Sequence, residues 1–245
     1  MPSALRIALD VLGRPERHRY GPDRCNRADL WLPRGPGPHP VVVVIHGGYW
    51  QATYGKAIMK PVCADLARRG VAAWNIEYRR LGRGQGGGWP ATFDDVAAAV
   101  DFLPEVARGR LRLDDVRALG HSAGGHLALW AGRRFTRIAA QAAVSDLVSA
   151  GAVARELIGG SPDEYPDRWA SADPMRLLPL GVPVRLIHTP EDATVPVARS
   201  REYFEAARAA GDPVDLVDSV SGGHRVHLDP RSAAWRAAAE FVTPP

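Results

Sequence analysis

The chain has few cysteines, few aromatic residues and no long apolar run. Its cysteines, Cys25 and Cys63, do not form a C-x-x-C pair, which excludes the common cysteine-based metal and redox motifs. No segment approaches the roughly 18 to 20 uninterrupted apolar residues that a membrane-spanning helix requires. We expect both cysteines to be half-buried thiols, although the sequence leaves a disulfide between them open.

Lysine is also scarce, since Lys56 and Lys60 are the only two among 31 basic residues. The 27 acidic residues leave a net charge of +4 at pH 7. The basic residues are scattered along the sequence and form no stripe interleaved with aromatic residues, which is what a nucleic-acid surface requires. We therefore expect neither a nucleic acid nor a membrane as a partner.

Residues 1–10 contain one arginine and no long apolar run, so they do not have the pattern of a secretory signal. This predicts a cytoplasmic protein, and a cytoplasmic setting disfavours a disulfide. Residues 1–20 are weakly patterned and are assigned a peripheral, partly ordered role. The chain of 245 residues shows no linker and no internal repeat, which predicts a single domain over residues 1–245.

Short apolar segments alternate with amphipathic ones along most of the sequence. Strands are predicted at residues 27–32, 41–45, 71–76, 116–119, 138–144, 183–187 and 214–217. Five helices are predicted between or after these strands. One begins at Pro61, the second is capped by Thr92, the third follows the turn at residue 122, the fourth covers residues 197–210 and the fifth includes Trp235. This alternation predicts an α/β fold with a mostly parallel central sheet and helices on both faces.

Two polar stretches interrupt the alternation. The glycine-rich segment 79–90 lacks the Gly-Lys-Ser/Thr ending of a phosphate-binding loop and is interpreted as a surface loop. The segment 145–180 carries only short helical pieces, such as 153–158, and is interpreted as a modest insertion near the site. It is too short and too hydrophilic to form the large lid of an interfacial lipase.

The most informative stretch reads Gly-His-Ser-Ala-Gly over residues 120–124, between a predicted strand and a predicted helix. This G-x-S-x-G pattern is typical of a nucleophile elbow, a sharp turn that needs small residues on both sides of the serine. Ser122 is therefore the predicted nucleophile. The alternative is a serine that caps the helix from a glycine-rich turn.

A second glycine-rich loop, His-Gly-Gly-Tyr-Trp-Gln over residues 46–51, directly follows the apolar strand at 41–45. In acyl-transfer enzymes such a loop supplies one backbone N–H of the oxyanion hole, and the residue after the nucleophile supplies the other. The predicted donors are Gly48 or Tyr49, together with Ala123. A tight turn that merely needs small residues is the alternative interpretation.

A serine nucleophile needs a base, and the base needs an orienting acid. Asp192 and His224 follow predicted strands in the chain order serine, acid, histidine, so both are expected at the carboxyl edge of the sheet. Glu191 and His227 are the alternative acid and base. The other candidate histidines are assigned structural or packing roles: His46, His121, His126 and His188.

Together these motifs resemble the α/β-hydrolase superfamily from residue 27 to the C-terminus. The 46–51 loop and the 120–124 elbow resemble kynurenine formamidase and related small bacterial esterases. The resemblance implies a Ser122, Asp192 and His224 triad and places Tyr49 and Trp50 close to the acyl pocket. The region around the acid and the base equally resembles prolyl-oligopeptidase-type and feruloyl-esterase-like hydrolases.

The leading functional prediction is a carboxylesterase that acts on small esters and needs no metal or cofactor. Trp89 is predicted at the mouth of its site, and His121 is a further predicted substrate contact. An arylformamidase or other amidase is the alternative enzyme, favoured by the Tyr-Trp-Gln ending of the 46–51 loop. A non-catalytic hydrolase-fold protein that binds a small molecule is the third possibility, whereas a dehalogenase is disfavoured because that chemistry uses aspartate at the elbow.

Overall fold

The computed structural model describes residues 14–244, which contain one eight-stranded sheet. The strands are β1 (Glu16–Arg19), β2 (Arg27–Trp31), β3 (His39–Ile45), β4 (Ala72–Ile76), β5 (Leu111–His121), β6 (Ile138–Gln141), β7 (Val184–Ile187) and β8 (Val214–Val217). Their order across the sheet is β1-β2-β4-β3-β5-β6-β7-β8. The β1–β2 and β2–β4 pairs are antiparallel, and the other neighbours are parallel.

Helices cover both faces of this sheet. They are α1 (Lys60–Arg68), α2 (Ala91–Asp101), α3 (Leu103–Ala107), α4 (Ala123–Trp130), α5 (Ala152–Ile158), α6 (Pro166–Ala172), α7 (Val197–Ala209) and α8 (Ala233–Val242). Helices α1 and α8 pack on one face, and buried side chains of α2 to α7 belong to the core on the other. The α/β fold predicted from the alternation is therefore confirmed.

The β3 strand illustrates why this sequence forms a two-sided sheet. Val41, Val43 and Ile45 contribute to one core and Val42 and Val44 to the other, and all five side chains are 0% exposed. Successive side chains of a strand point to opposite faces, so a run of β-branched residues suits a strand that is buried on both sides. The β3 and β5 strands then deliver two loops to the same edge of the sheet.

Three local predictions need correction. The weak patterning of residues 1–20 predicts no element there, but the structure has the short β1 strand (Glu16–Arg19), whose polar side chains alternate between half-buried and exposed. Strand β6 ends at Gln141 rather than at residue 144, because the chain turns at Ala142, which has a φ of 44°. Thr92 lies inside the first turn of α2 and does not cap it; its hydroxyl bridges the N–H of Gly88 and the carbonyl of Arg79.

Two further predictions concern the chain ends and the membrane. A peripheral role is predicted for residues 1–20, of which residues 1–13 lie outside the described part of the chain. Between residues 14 and 244, no helix has the length and apolar character needed to cross a bilayer.

Candidate active site

Ser122 lies between the last residue of β5 and the first residue of α4, on a turn with φ 56° and ψ −120°. Such a conformation is costly for a residue with a side chain and is retained where the surroundings enforce it. A Cβ at Gly120 would lie 2.2 Å from the carbonyl oxygen of Gly124, and one at Gly124 would lie 2.1 Å from that of Ile45. The turn therefore requires glycine at both flanking positions, as the elbow motif predicts.

Asp192 and His224 follow β7 and β8, so the parallel sheet brings them to the edge where Ser122 lies. His224 Nδ1 donates to Asp192 Oδ2 over 2.7 Å. The other carboxylate oxygen of Asp192 accepts from the N–H groups of Thr194 (2.8 Å) and Val195 (3.0 Å). A histidine that donates through Nδ1 keeps Nε2 as an acceptor, which is the tautomer that a general base needs.

The electrostatic setting keeps Asp192 ionised. Burial raises the pKa of Asp192, but hydrogen bonds from His188 and His224 and from two backbone N–H groups lower it further, so that the net pKa lies well below its usual range. His188 was expected to pair with the backbone, and its Nε2 lies 2.9 Å from the Val195 carbonyl oxygen. The same atom also lies 3.2 Å from Asp192 Oδ2, a contact that the sequence did not indicate.

Burial keeps His121 and His126 neutral. Burial, with repulsion from His224, lowers the pKa of His121 to about 3, and burial lowers that of His126 to about 4. His121 Nε2 donates to the carbonyl oxygen of His224 over 2.8 Å, so it helps to position the loop that carries His224. His227, the alternative base, is 0% exposed, and neither ring nitrogen has a hydrogen-bond partner among residues 14–244.

The 46–51 loop lies directly above the elbow. A Cβ at Gly47 would lie 2.6 Å from the His121 carbonyl oxygen, which explains why this position has no side chain. Gly48 and Tyr49 have φ values of 120° and 57°. Within residues 14–244 their N–H groups donate no hydrogen bond, and Ala123, as the first residue of α4, has a free N–H as well.

His46 anchors this loop from below, in the structural role predicted for it. Its Nε2 donates to Glu77 Oε1 over 2.7 Å, and its ring stacks on Tyr78 at a centroid distance of 4.3 Å. The Tyr78 hydroxyl donates to the His46 carbonyl oxygen over 2.8 Å. Burial raises the pKa of Glu77, but the hydrogen bond from His46 and nearby cations lower it more, so the net pKa is lowered.

Ser122 and His224 open into one cavity of about 410 Å³, which we call the catalytic cavity. Its other lining residues come from four loops: Gly48, Tyr49, Tyr54, Ile58, His121, Thr194, Gly223, Arg225, Val226 and Leu228. The volume suits a small ligand, and the aromatic and aliphatic side chains give it apolar walls. Among residues 14–244, no group of three or more His, Cys, Asp or Glu side chains is placed to hold a metal ion.

The structure corrects two of the predicted substrate contacts. Trp50 is only 1% exposed, does not line the catalytic cavity, and packs edge-on against His126 at a centroid distance of 5.2 Å. Trp89 packs against Phe93 at 5.0 Å and is likewise absent from the lining. Tyr49, 48% exposed, and His121 do line it, as predicted.

Sequence reasoning missed several lining residues, including Tyr54, Ile58 and Arg225. They belong to no motif, and their approach to Ser122 depends on loop conformations that periodicity does not encode. The only available signal was proximity in sequence to the 46–51 loop and to His224.

Comparison with known proteins finds one family model and several esterases that are similar to this chain. Residues 28–141 match the BD-FAE family model. The chain is 26% identical to esterase LipC of Mycobacterium tuberculosis over 262 aligned residues. This alignment covers 85% of this chain and 62% of LipC. It is 34% identical over 112 residues to a probable isoprenylcysteine alpha-carbonyl methylesterase of Oryza sativa subsp. japonica, covering 44% of this chain and 26% of that protein. The chain thus spans less than two thirds of the length of both relatives.

A solved structure extends the likeness to the fold. Esterase 2 of Thermogutta terrifontis superimposes with a TM-score of 0.78 at 22% identity and covers 94% of this chain and 90% of that one. The same esterase has also been solved phosphonylated by sarin. The chain therefore has the α/β-hydrolase fold of carboxylesterases, and residues 28–141 are similar to the BD-FAE family.

Proposed function

We propose that the protein is a carboxylesterase that cleaves small esters through a Ser122, His224 and Asp192 triad. The observation that carries this proposal is the convergence, in one cavity, of a serine on a strained elbow and a histidine that donates to a buried carboxylate over 2.7 Å. The esterase names of the relatives and the covalent sarin adduct of the structural neighbour support it.

In the acylation step, His224 Nε2 takes the proton of Ser122 Oγ as this oxygen attacks the ester carbonyl carbon. The resulting oxyanion accepts hydrogen bonds from the N–H of Ala123 and from the Gly48–Tyr49 segment, which are free to donate. Asp192 stabilises the imidazolium ion without taking its proton. Collapse breaks the bond to the alcohol oxygen, and His224 returns the proton to the departing alcohol.

In the deacylation step, His224 accepts a proton from water as the water oxygen attacks the acyl carbon. A second oxyanion forms in the same position and collapses, which breaks the bond to Ser122 Oγ and returns the proton to this oxygen. The carboxylic acid then leaves. Neither step requires an oxidant, a reductant or a metal ion.

The test compares the wild type with Ser122→Ala and with Ser149→Ala, an exposed serine on the segment after β6. On p-nitrophenyl acetate and butyrate, Ser122→Ala is expected to lower kcat by more than about 10⁴-fold, because removing the nucleophile of a triad abolishes covalent catalysis. Ser149→Ala should retain wild-type kcat. Labelling by an organophosphonate that persists in Ser122→Ala would refute the assignment of the nucleophile.

One observation favours a second candidate, an arylformamidase that acts on N-formylkynurenine-type amides. Arg225 lines the catalytic cavity, is exposed and has no ion-pair partner among residues 14–244. A guanidinium in this position could pair with the carboxylate of an amino-acid substrate. Assaying N-formylkynurenine beside the p-nitrophenyl esters decides between the two, and a much higher kcat/KM for the amide would replace the esterase proposal.

Failure to turn over any of these substrates, with Ser122 still labelled, would indicate a narrower substrate. Failure of both turnover and labelling would instead favour a non-catalytic binding protein. A cytoplasmic location remains part of the proposal, supported by the two buried free thiols, Cys25 and Cys63.

A further inference from the structure

A second cavity, of about 710 Å³, lies beside β1, β2 and the start of α1, and we call it the basic cavity. Seven of its lining side chains are cationic: Arg17, Arg19, Arg24, Arg27, Lys56, Lys60 and Arg80. Only two, Asp29 and Glu77, are carboxylates. The cationic side chains of this lining therefore outnumber its carboxylates by five, whereas the whole chain carries a net charge of only +4.

Both carboxylates of the basic cavity are already engaged. Asp29 forms an ion pair with Lys56, and Glu77 accepts from His46 and lies 3.5 Å from Arg80 Nε. These pairs leave the other cations uncompensated. Arg17, Arg27 and Lys60 have no ion pair or side-chain hydrogen bond with any residue that the structure describes.

The strand register adds a second, independent observation. In the β1–β2 pair, Arg19 lies directly opposite Arg27. Like charges at directly opposed positions of an antiparallel pair are destabilising. An anion bound between them would remove this repulsion, which makes the arrangement costly for a bare surface but suitable for a binding site.

The depth of the cavity favours a small molecule over an extended polymer. The Lys56 and Arg80 side chains are 18% and 14% exposed, whereas Arg17 and Arg27 are exposed. Partly buried cations thus lie below a rim of exposed ones. Small-molecule pockets commonly measure about 300 to 1,000 Å³, and the volume of the basic cavity lies within this range.

We propose that the basic cavity binds a small molecule that carries a multiply charged phosphate group. Guanidinium groups present paired N–H donors that match two phosphate oxygens, and a phosphate monoester near pH 7 carries a charge of about −2, which neutralises about two of them. The scattered basic residues of the sequence are brought together here as a pocket and not as the stripe that nucleic acids require. The proposal is independent of the esterase reaction.

The test measures thermal unfolding while pyrophosphate or adenosine monophosphate is added at an ionic strength held constant with NaCl. A ligand that binds only the folded state raises Tm by about 5 °C when present at about 100 times its Kd. A greater effect of the nucleotide identifies an organic phosphate as the ligand class. A greater effect of pyrophosphate identifies an inorganic one.

The decisive variant is Arg17→Gln combined with Arg27→Gln, because both side chains are exposed and unpaired. The matched control is Arg155→Gln with Arg208→Gln, two exposed arginines that do not line the basic cavity. We expect the first pair to weaken binding at least tenfold and the control pair to leave it unchanged.

A separate readout distinguishes binding from a purely structural role. Arg27→Gln alone should raise Tm at low salt without ligand, since it removes the repulsion from Arg19, and it should lower the ligand-induced shift. Equal shifts in both double variants, or the same shift with NaCl alone, would overturn the proposal.

Discussion

The catalytic cavity and the basic cavity lie next to each other and differ in how their charged side chains are paired. They share a wall, since Tyr54 and Ile58 line the first and Lys56 and Lys60 line the second. In the catalytic cavity the acid and the histidine are paired, with Asp192 receiving four hydrogen-bond or ion-pair contacts, and Arg225 is the one lining cation without an ion pair among residues 14–244. In the basic cavity cations outnumber carboxylates and several have no partner.

The difference separates two uses of polar groups in one fold. Paired and buried groups hold a fixed geometry, which is what a reaction needs, because dipoles that are already oriented cost nothing to reorganise at the transition state. Uncompensated charge contributes little rigidity and repels itself, but it attracts a ligand of opposite sign. Substitutions in the two cavities should therefore differ in kind: one set changes kcat, and the other changes salt-dependent affinity.

The largest difference between the two cavities is expected for a substitution of Asp192. Asp192→Asn removes the charge but not the shape, and an amide in this position favours the wrong tautomer of His224. We expect kcat for p-nitrophenyl acetate to fall by about 10³- to 10⁴-fold, as such a change does in triad enzymes, with little change in KM. Phosphate binding in the basic cavity should be unaffected.

The neighbouring variant Glu191→Gln is the control, since Glu191 is exposed and its carboxylate accepts only the N–H of Gly222 at 3.1 Å. It should keep most of the activity. A loss of less than tenfold in Asp192→Asn, or an equal loss in Glu191→Gln, would show that Asp192 is not the orienting acid.

The two cavities also differ in how far the sequence predicts them. The convergence of Ser122, Asp192 and His224 was predictable because each follows a recognisable apolar strand, and parallel strands deliver their carboxyl ends to one edge. The 46–51 loop was predictable for the same reason. The basic cavity was not, because its residues are scattered over positions 17 to 80 and converge only through the antiparallel pairing of β1 with β2.

The errors within the catalytic cavity have a similar origin. The family resemblance places both Tyr49 and Trp50 close to the acyl pocket, but the two residues have consecutive positive φ values, 57° at Tyr49 and 56° at Trp50, and lie in different surroundings. Sequence proximity does not fix side-chain direction in a loop, whereas it does in a strand. The early end of β6 depends likewise on a backbone turn at Ala142 that composition does not signal.

Glu77 connects the two cavities, because it supports the 46–51 loop through His46 and lines the basic cavity. Glu77→Gln should lower the free energy of unfolding by about 2 kcal/mol, since it replaces a charge-assisted hydrogen bond in a mostly buried setting. It should also reduce kcat. Pyrophosphate affinity should rise, because a negative charge leaves the basic cavity.

The informative result is that stability and kcat fall while pyrophosphate affinity rises. Chemical unfolding, steady-state kinetics and ligand titration on one preparation measure the three quantities. The control is Glu105→Gln, an exposed glutamate of α3 without an ion pair among residues 14–244. Weaker phosphate binding in Glu77→Gln would contradict this prediction. It would mean that Glu77 maintains the shape of the basic cavity, and that its negative charge does not oppose phosphate binding.

The smallest effect on activity is expected at His227, the alternative base. His227→Leu replaces a buried ring whose nitrogens lack partners, so kcat should change by less than about threefold, and the free energy of unfolding at pH 7 should change little. Burial, with repulsion from neighbouring histidines, holds the pKa of His227 well below its usual 6.5. The activity result would contradict the choice of His224 only if His227→Leu were as inactive as His224→Ala.

The pH dependence of stability gives His227→Leu a second signature. The unfolded chain takes up a proton at this histidine near pH 6.5 and the folded chain does not, so the wild type loses stability as the pH falls below that value. Asp192 does not contribute between pH 7 and 5, because its folded pKa is lowered and its unfolded pKa is already below 5. Relative to the wild type, the free energy of unfolding of His227→Leu should therefore increase by on the order of 1 kcal/mol for each pH unit below 6.5. Chemical unfolding of both proteins at pH 7 and at pH 5 measures this difference. Parallel curves for the two proteins would mean that the folded state also protonates His227, and that burial does not lower the pKa of this histidine.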